Sequence, residues 1–213
     1  MFTGIIQAQG NIKEIRASSK GVVFVLNSNS LDLSNVSIGD SIAVNGVCLT
    51  VTQLDKNYFS SDVSQETLDC TTFSQLKKGQ NINLEKSLRL NQGVDGHIVS
   101  GHVDGVGKIT LIAIEGDSIS MKIKVDDNLV KYIAKKGSIC INGVSLTVNE
   151  IDGNVFDVNI VPHTFSVTTL DELKVNSHVN LEIDIIARHI EQLLNHKTGA
   201  RINKALLIKD GYL

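Results

Sequence analysis

The chain has 213 residues, 42% of them hydrophobic, and a formal net charge of −3. That length suits one or two small domains with ordinary cores. The slightly acidic balance argues against nucleic acid or an anionic membrane as the partner. The cysteines, Cys48, Cys70 and Cys140, form no CxxC pair and fit reduced thiols in a cytoplasm. No His/Cys cluster has zinc spacing; the two histidines of HIVSGH, five residues apart, are a weak ligand signal.

Taken in order, the chain starts with MFTGIIQAQG, which lacks the basic and long apolar regions of a secretory signal. GVVFVL (21–26) is an apolar strand-like run, far too short to span a bilayer. SIAVNGVCLTVTQL (41–54) is rich in β-branched residues around Asn45-Gly46, a hairpin dipeptide. TTFSQL (71–76) reads as a single capped turn. MKIKV (121–125) alternates as a half-buried strand does, and DDNLVKYIAKKG (126–137) reads as a helix ended by Gly137. SICINGVSLTVNEI (138–151) repeats the strand–turn–strand signal around Asn142-Gly143, with Asp152-Gly153 as the next turn. Pro162 requires its strand to lie at an edge or to end there. TTLDEL (168–173) is a second capped turn. IIARHIEQLLNHK (185–197) sets Ile186, Ile190, Leu193 and Leu194 on one helical stripe, which packs either on the chain's own barrels or on a partner.

These segments occur twice. VNGVCLTV (44–51) returns as INGVSLTV (141–148), an offset of 141 − 44 = 97. The same offset aligns 3–12 with 100–109, 61–72 with 158–169 and 75–85 with 172–182. One offset over four blocks means two copies of one small domain. Short strands with frequent turns make each copy a small antiparallel barrel or sandwich.

Positions alike in both copies, Gly4/Gly101, Ser41/Ser138, Thr50/Thr147 and Thr67/Thr164, are ordinary turn glycines and strand threonines, or groups suited to a flat polar heterocycle with a sugar-like tail. Positions that differ are Cys48 against Ser145, Ile5 against His102, Asp62 against Asn159 and Glu66 against His163. Cys48 and His102 are each read equally well as packing residues or as groups for proton transfer near neutral pH.

MFTGII, GVCLTV, DVSQETL, HIVSGHVDG and GVSLTVN together resemble the riboflavin synthases of the alpha-chain type, over the whole chain. The resemblance implies an all-β fold: two tandem six-stranded antiparallel Greek-key β-barrels plus a C-terminal α-helix. It divides the chain into a lumazine-binding barrel at 1–96, a second at 97–186 and a helical trimerisation tail at 187–213. It implies dismutation of two 6,7-dimethyl-8-ribityllumazine molecules to riboflavin and 5-amino-6-(D-ribitylamino)uracil, with no metal or organic cofactor. The active site is expected between the first barrel of one chain and the second barrel of its neighbour in a homotrimer. Association with lumazine synthase, the preceding enzyme, is left open.

Carried over by position, the family pattern marks Phe2, Thr3, Gly4, Ile5 and Ile6 for the first pocket, with Ser41, Cys48, Leu49 and Thr50. Asp62, Val63, Ser64, Gln65, Glu66 and Thr67 close over that ligand. Gly101, His102 and Val103 are assigned to the second pocket, with Ser145, Leu146, Thr147, Asn159, Ile160, Val161, Pro162, His163 and Thr164. Lys136 reaches a ligand held by another chain, and Asp184 lies near the reaction centre. Ser41, Cys48, His102 and Asp184 are the expected catalytic groups. His102 and Ser41 would manage protons or activate a water, and Cys48 would act as nucleophile, base or positioning group. A non-catalytic antenna protein of the same family is the alternative. A flavin reductase is excluded, because GHVDGVG opens no helix pattern and no nicotinamide-binding domain follows.

Overall fold

In the computed structural model, residues 1–18 and 21–197 are described. The first copy contains β1 (Ala8–Ser18), β2 (Gly21–Asn27), β3 (Ser41–Val44), β4 (Val47–Thr50), β5 (Gln53–Leu54), β6 (Tyr58–Ser64), α1 (Gln65–Cys70) and β7 (Asn81–Lys86). The second contains β8 (Gly105–Glu115), β9 (Ser118–Lys124), α2 (Asp127–Val130), β10 (Ser138–Ile141), β11 (Val144–Asp152), β12 (Val155–Ile160), α3 (Pro162–Val167) and β13 (His178–Ile183). A helix, α4 (Ile185–Lys197), follows.

β8 to β13 form a closed barrel in the order β10-β11-β12-β9-β8-β13, all pairs antiparallel, with the non-sequential neighbours of a Greek key. The first copy repeats this order as β4-β3-β7-β1-β2-β6-β5. Its two terminal strands, β4 and β5, are the halves of the strand that runs unbroken as β11. Even the irregularities recur at the repeat offset: a register shift at Ile12/Glu14 in β1 matches one at Ile109/Leu111 in β8. The shift at Val148/Glu150 in β11 corresponds to the break between β4 and β5.

Alternation explains the cores. Ile42, Val44, Phe59, Ile82 and Leu84 point into the first barrel; their counterparts Ile139, Ile141, Phe156, Val179 and Leu181 fill the second. Burial of each such side chain stabilises the fold by about 1.5–3 kcal/mol. The expected helix over 126–137 is confined to the single turn of α2, because the residues after it turn into the approach to β10. The short helices α1 and α3 were not anticipated. Pro162 ends β12 by occupying the first turn of α3, where its missing N–H costs nothing. The two capped turns are 3₁₀ helices, Thr72–Gln75 and Thr169–Glu172, with Thr71 and Thr168 as side-chain caps.

The copies meet along a reciprocal polar seam. Asn83 donates from Nδ2 to the Asn142 carbonyl (2.9 Å), and Asn180 donates to the Asn45 carbonyl (2.9 Å). Asn45 and Asn142 both have positive φ, +44° and +46°, as does the glycine after each. These Asn-Gly tips touch: a Cβ on Gly46 would fall 2.8 Å from the Gly143 nitrogen. Only glycine allows that approach together with that backbone.

α4 is tied to the second barrel by polar contacts, Arg188 with Asp104 and Glu191 with Lys131 and Tyr132. Its apolar stripe of Ile186, Ile190, Leu193 and Leu194 is 52–64% exposed. The reading in which this stripe packs on the chain's own barrels is therefore not met. The rest of the expected trimerisation tail, 198–213, lies outside the described residues. No described helix is long and apolar enough to cross a membrane.

Candidate active site

The face that carries the marked residues is the outer face of each hairpin. β3 and β4 pair with Ser41 opposite Thr50 and Ala43 opposite Cys48. Directly opposed residues share a face, so Ser41, Cys48 and Thr50 project together while Leu49 turns into the core. The second copy does the same with Ser138, Ser145 and Thr147 on β10 and β11. Continuing the β11–β12 register beyond Val148 and Val158 brings Thr147 level with Asn159. The bond from Thr52 N to the Ser60 carbonyl sets Thr50 level with Asp62 in the same way.

The segments that lead into each copy cross to the other barrel. The Cys48 N–H donates to the Gly101 carbonyl (2.8 Å), and the Ser145 N–H donates to the Gly4 carbonyl (2.8 Å). Val103 packs on the first core and Ile6 on the second. This exchanges the pocket assignment expected from the sequence. Gly101 and Val103 belong with Cys48, and Gly4 and Ile6 belong with Ser145. Gly4 and Gly101 have φ of +74° and +82°, and a Cβ on Gly101 would sit 2.5 Å from the Cys48 Cβ. No side chain fits at either crossing.

A carboxylate anchors each crossing. Glu85 accepts from the Thr3 N–H (2.6 Å), the Thr3 hydroxyl (2.8 Å) and the Gly4 N–H (3.0 Å). Glu182 accepts from the Ser100 N–H (2.6 Å) and hydroxyl (2.7 Å) and from the Gly101 N–H (2.9 Å). Burial pushes both carboxyls above the ordinary carboxylate range, although these donors pull the other way. Neither glutamate was marked from the sequence, although both occupy the same place in the NLE repeat.

Other marked residues scatter. Phe2 is fully buried, pairs through its backbone with Val99 and packs with Ala43, Cys140 and Cys48. Val63 and Ile160 point inward, so only their backbone reaches the outer face. Asp62, Ser64, Gln65, Glu66, Val161, Pro162 and His163 are exposed, with Thr67 and Thr164 half-buried, around the starts of α1 and α3. The Ser64 hydroxyl caps α1 by accepting from the Thr67 N–H (3.1 Å). Leu146 is half-buried against the second core. His102 is exposed and lines a small cavity with Ser100, Asp104, Glu182 and Arg188. Lys136, at φ +65°, donates its backbone N–H to the Val148 carbonyl (2.7 Å) and its ammonium to the Asn149 side-chain oxygen (3.3 Å).

His97 is a further group that the sequence did not mark. His97 Nδ1 lies 2.7 Å from the Ser145 hydroxyl, and its buried Nε2 has no partner among the described residues. Burial depresses the imidazole pKa, which the nearby Asp184 carboxylate partly opposes. Asp184 itself accepts from the Ile186 N–H (2.9 Å) at the start of α4. Ser145, His97 and Asp184 thus share one neighbourhood. The offset comparison could not find His97, because its counterpart would precede residue 1. Its only sequence signal was its place in HIVSGH.

The lumazine binding domain family matches residues 3–87 and again 100–184. Riboflavin synthase of Photobacterium phosphoreum is 45% identical over the full length of both chains. That of Bacillus subtilis (strain 168) is 38% identical, again over the full length of both. The solved structure of LumP complexed with riboflavin covers 86% of this chain and 99% of its own, at 30% identity and a TM-score of 0.78. The chain therefore belongs to the riboflavin synthase family and carries the lumazine binding domain twice.

Proposed function

We propose that the chain dismutates two molecules of 6,7-dimethyl-8-ribityllumazine to riboflavin and 5-amino-6-(D-ribitylamino)uracil, as a cytoplasmic transferase. The observation that carries this reading is the pair of matched outer faces, each closed by a segment from the other copy, in a chain related end to end to riboflavin synthases. Donor and acceptor are the same compound, so a duplicated binding face supplies a place for each. Holding them in one orientation can contribute about 7–11 kcal/mol toward the barrier.

The reaction balances without an oxidant or a net water. A base takes a proton from the C7 methyl of one lumazine, and the resulting carbanion attacks the other ring. A water or side-chain nucleophile that adds to the acceptor is released again. Two C–C bonds form, and the donor's two C–N bonds to its four-carbon unit break. On the second face we assign proton handling to Ser145 and His97. Burial keeps that imidazole neutral at pH 7 and therefore able to accept a proton, and Asp184 steadies it once charged. On the first face Ser41, Cys48 and Thr50 orient the partner ligand. The exposed stripe of α4 supports assembly into a homotrimer, which brings the first face of one chain to the second face of another, with Lys136 reaching across.

The test is incubation of the purified chain with 6,7-dimethyl-8-ribityllumazine. Flavin absorbance should appear with two lumazines consumed per flavin. Tight binding with no conversion would make the chain a carrier of the LumP kind instead.

A further inference from the structure

Along the seam, away from the crossing segments, lies a cavity of about 310 Å³ that no step of the proposed reaction uses. That volume is at the small end of ligand pockets, about 300–1,000 Å³. β7 runs from Asn81 at the cavity to Glu85 at the crossing, four residues or about 13 Å of strand. None of the residues assigned to the reaction lines it.

The cavity is built from equivalent pairs. Asn45 and Asn142 are each 5% exposed; Thr72 and Thr169 are 7% and 5% exposed. The oxygen of each buried carboxamide is already taken, Asn45 Oδ1 by the Asn83 N–H (2.7 Å) and Asn142 Oδ1 by the Asn180 N–H (2.8 Å). The NH₂ ends are left to serve the cavity. The Thr72 and Thr169 N–H groups donate across the seam to Asn180 and Asn83 (2.8 Å each), which fixes both backbones and leaves both hydroxyls for a ligand. At the rim Asn81 Nδ2 donates to Glu172 (2.5 Å), and the two leucines Leu76 and Leu173 supply the apolar wall. Glu172 and His178 are the ionisable side chains among the lining residues, and both are exposed at its rim rather than buried with the amides and hydroxyls.

We propose that this cavity is a second ligand site, for a short acyclic polyol. Buried amides and hydroxyls without charge match groups that both donate and accept. Equivalent donors facing each other across the seam match a molecule with hydroxyls at both ends. The polyol is either free or the sugar-alcohol arm of a larger ring compound. The proposal does not depend on the reaction above.

Ribitol titrated into the ¹⁵N-labelled full chain is the test. The side-chain amide signals of Asn45 and Asn142 and the backbone signals of Thr72 and Thr169 should shift saturably. The Thr72→Val/Thr169→Val variant should weaken ribitol at least about tenfold, the cost of one lost hydrogen-bond set, while lumazine turnover is unchanged. Thr72→Ser, which keeps the hydroxyl, should retain affinity even if the valine variant folds poorly. Riboflavin shifting the same four signals assigns the arm of a larger compound, and ribitol alone doing so assigns a free polyol. No saturable shift with ribitol, an equal shift in a folded valine variant, or displacement of ribitol by inorganic phosphate would overturn the site.

Discussion

The two barrels agree where they hold each other and differ at a few places on and around their outer faces. Asn45/Asn142, Asn83/Asn180, Glu85/Glu182 and Gly4/Gly101 make the same bonds in mirror roles. Against them stand Cys48 and Ser145, Gly39 and Lys136, and Ser87 and Asp184. A shared scaffold needs identical residues because its contacts are reciprocal: changing one side leaves the other unpaired. A reaction between two like molecules needs the opposite, since one must lose a proton and the other must receive a nucleophile.

The crossings test the scaffold half of that contrast, and the largest effect is expected there. Gly101→Ala must displace Cys48 and adopt a left-handed backbone, which together cost about 2–4 kcal/mol. Gly4→Ala should cost a similar amount, because it meets Ser145 at 2.7 Å. Urea unfolding measures both. If one were tolerated and the other not, the crossings would not be equivalent.

His97→Gln tests the chemical half. Removal of a general base should lower kcat about 100-fold with little change in KM. There is also a stability signature. The folded imidazole has a lowered pKa, so the unfolded chain binds the proton first as pH falls. This contribution is complete above the ordinary histidine value and is lost as pH drops through the folded pKa. The variant should lose less stability than the parent between pH 7.5 and pH 5.5 in paired urea titrations. Equal kcat in parent and variant would leave Ser145 without its base.

Much of this was legible from one offset. The repeat and the hairpin tips are written in that offset and in the Asn-Gly turns, and the family resemblance marks Ser41, Cys48 and Thr50. The carboxylate anchors, the crossing of Gly4 and Gly101 and the contact of His97 with Ser145 are not. Each depends on a contact about 50 to 140 residues away in sequence, and neither periodicity nor local propensity carries such pairings. The same blindness left His97 out. His102 and His97 stand in one motif, and only the fold shows that one imidazole is exposed beside Glu182 while the other is buried on Ser145.

The smallest effect expected sits at Lys136. The first copy has Gly39 at this place, with φ +96°, and both residues donate their N–H to the following hairpin, to Val51 and Val148. A lysine in the left-handed region costs about 1 kcal/mol that glycine avoids. Lys136→Gly relieves that strain, although the freer unfolded chain offsets part of the gain. The folded state should be equal or up to about 1 kcal/mol more stable by urea unfolding, and the side chain is lost at the same time. If Lys136 serves the ligand of a neighbouring chain, KM for the lumazine should rise while the thermal midpoint does not fall. If neither KM nor kcat moves, the strain at Lys136 has no catalytic purpose, and the second barrel differs from the first at one place fewer.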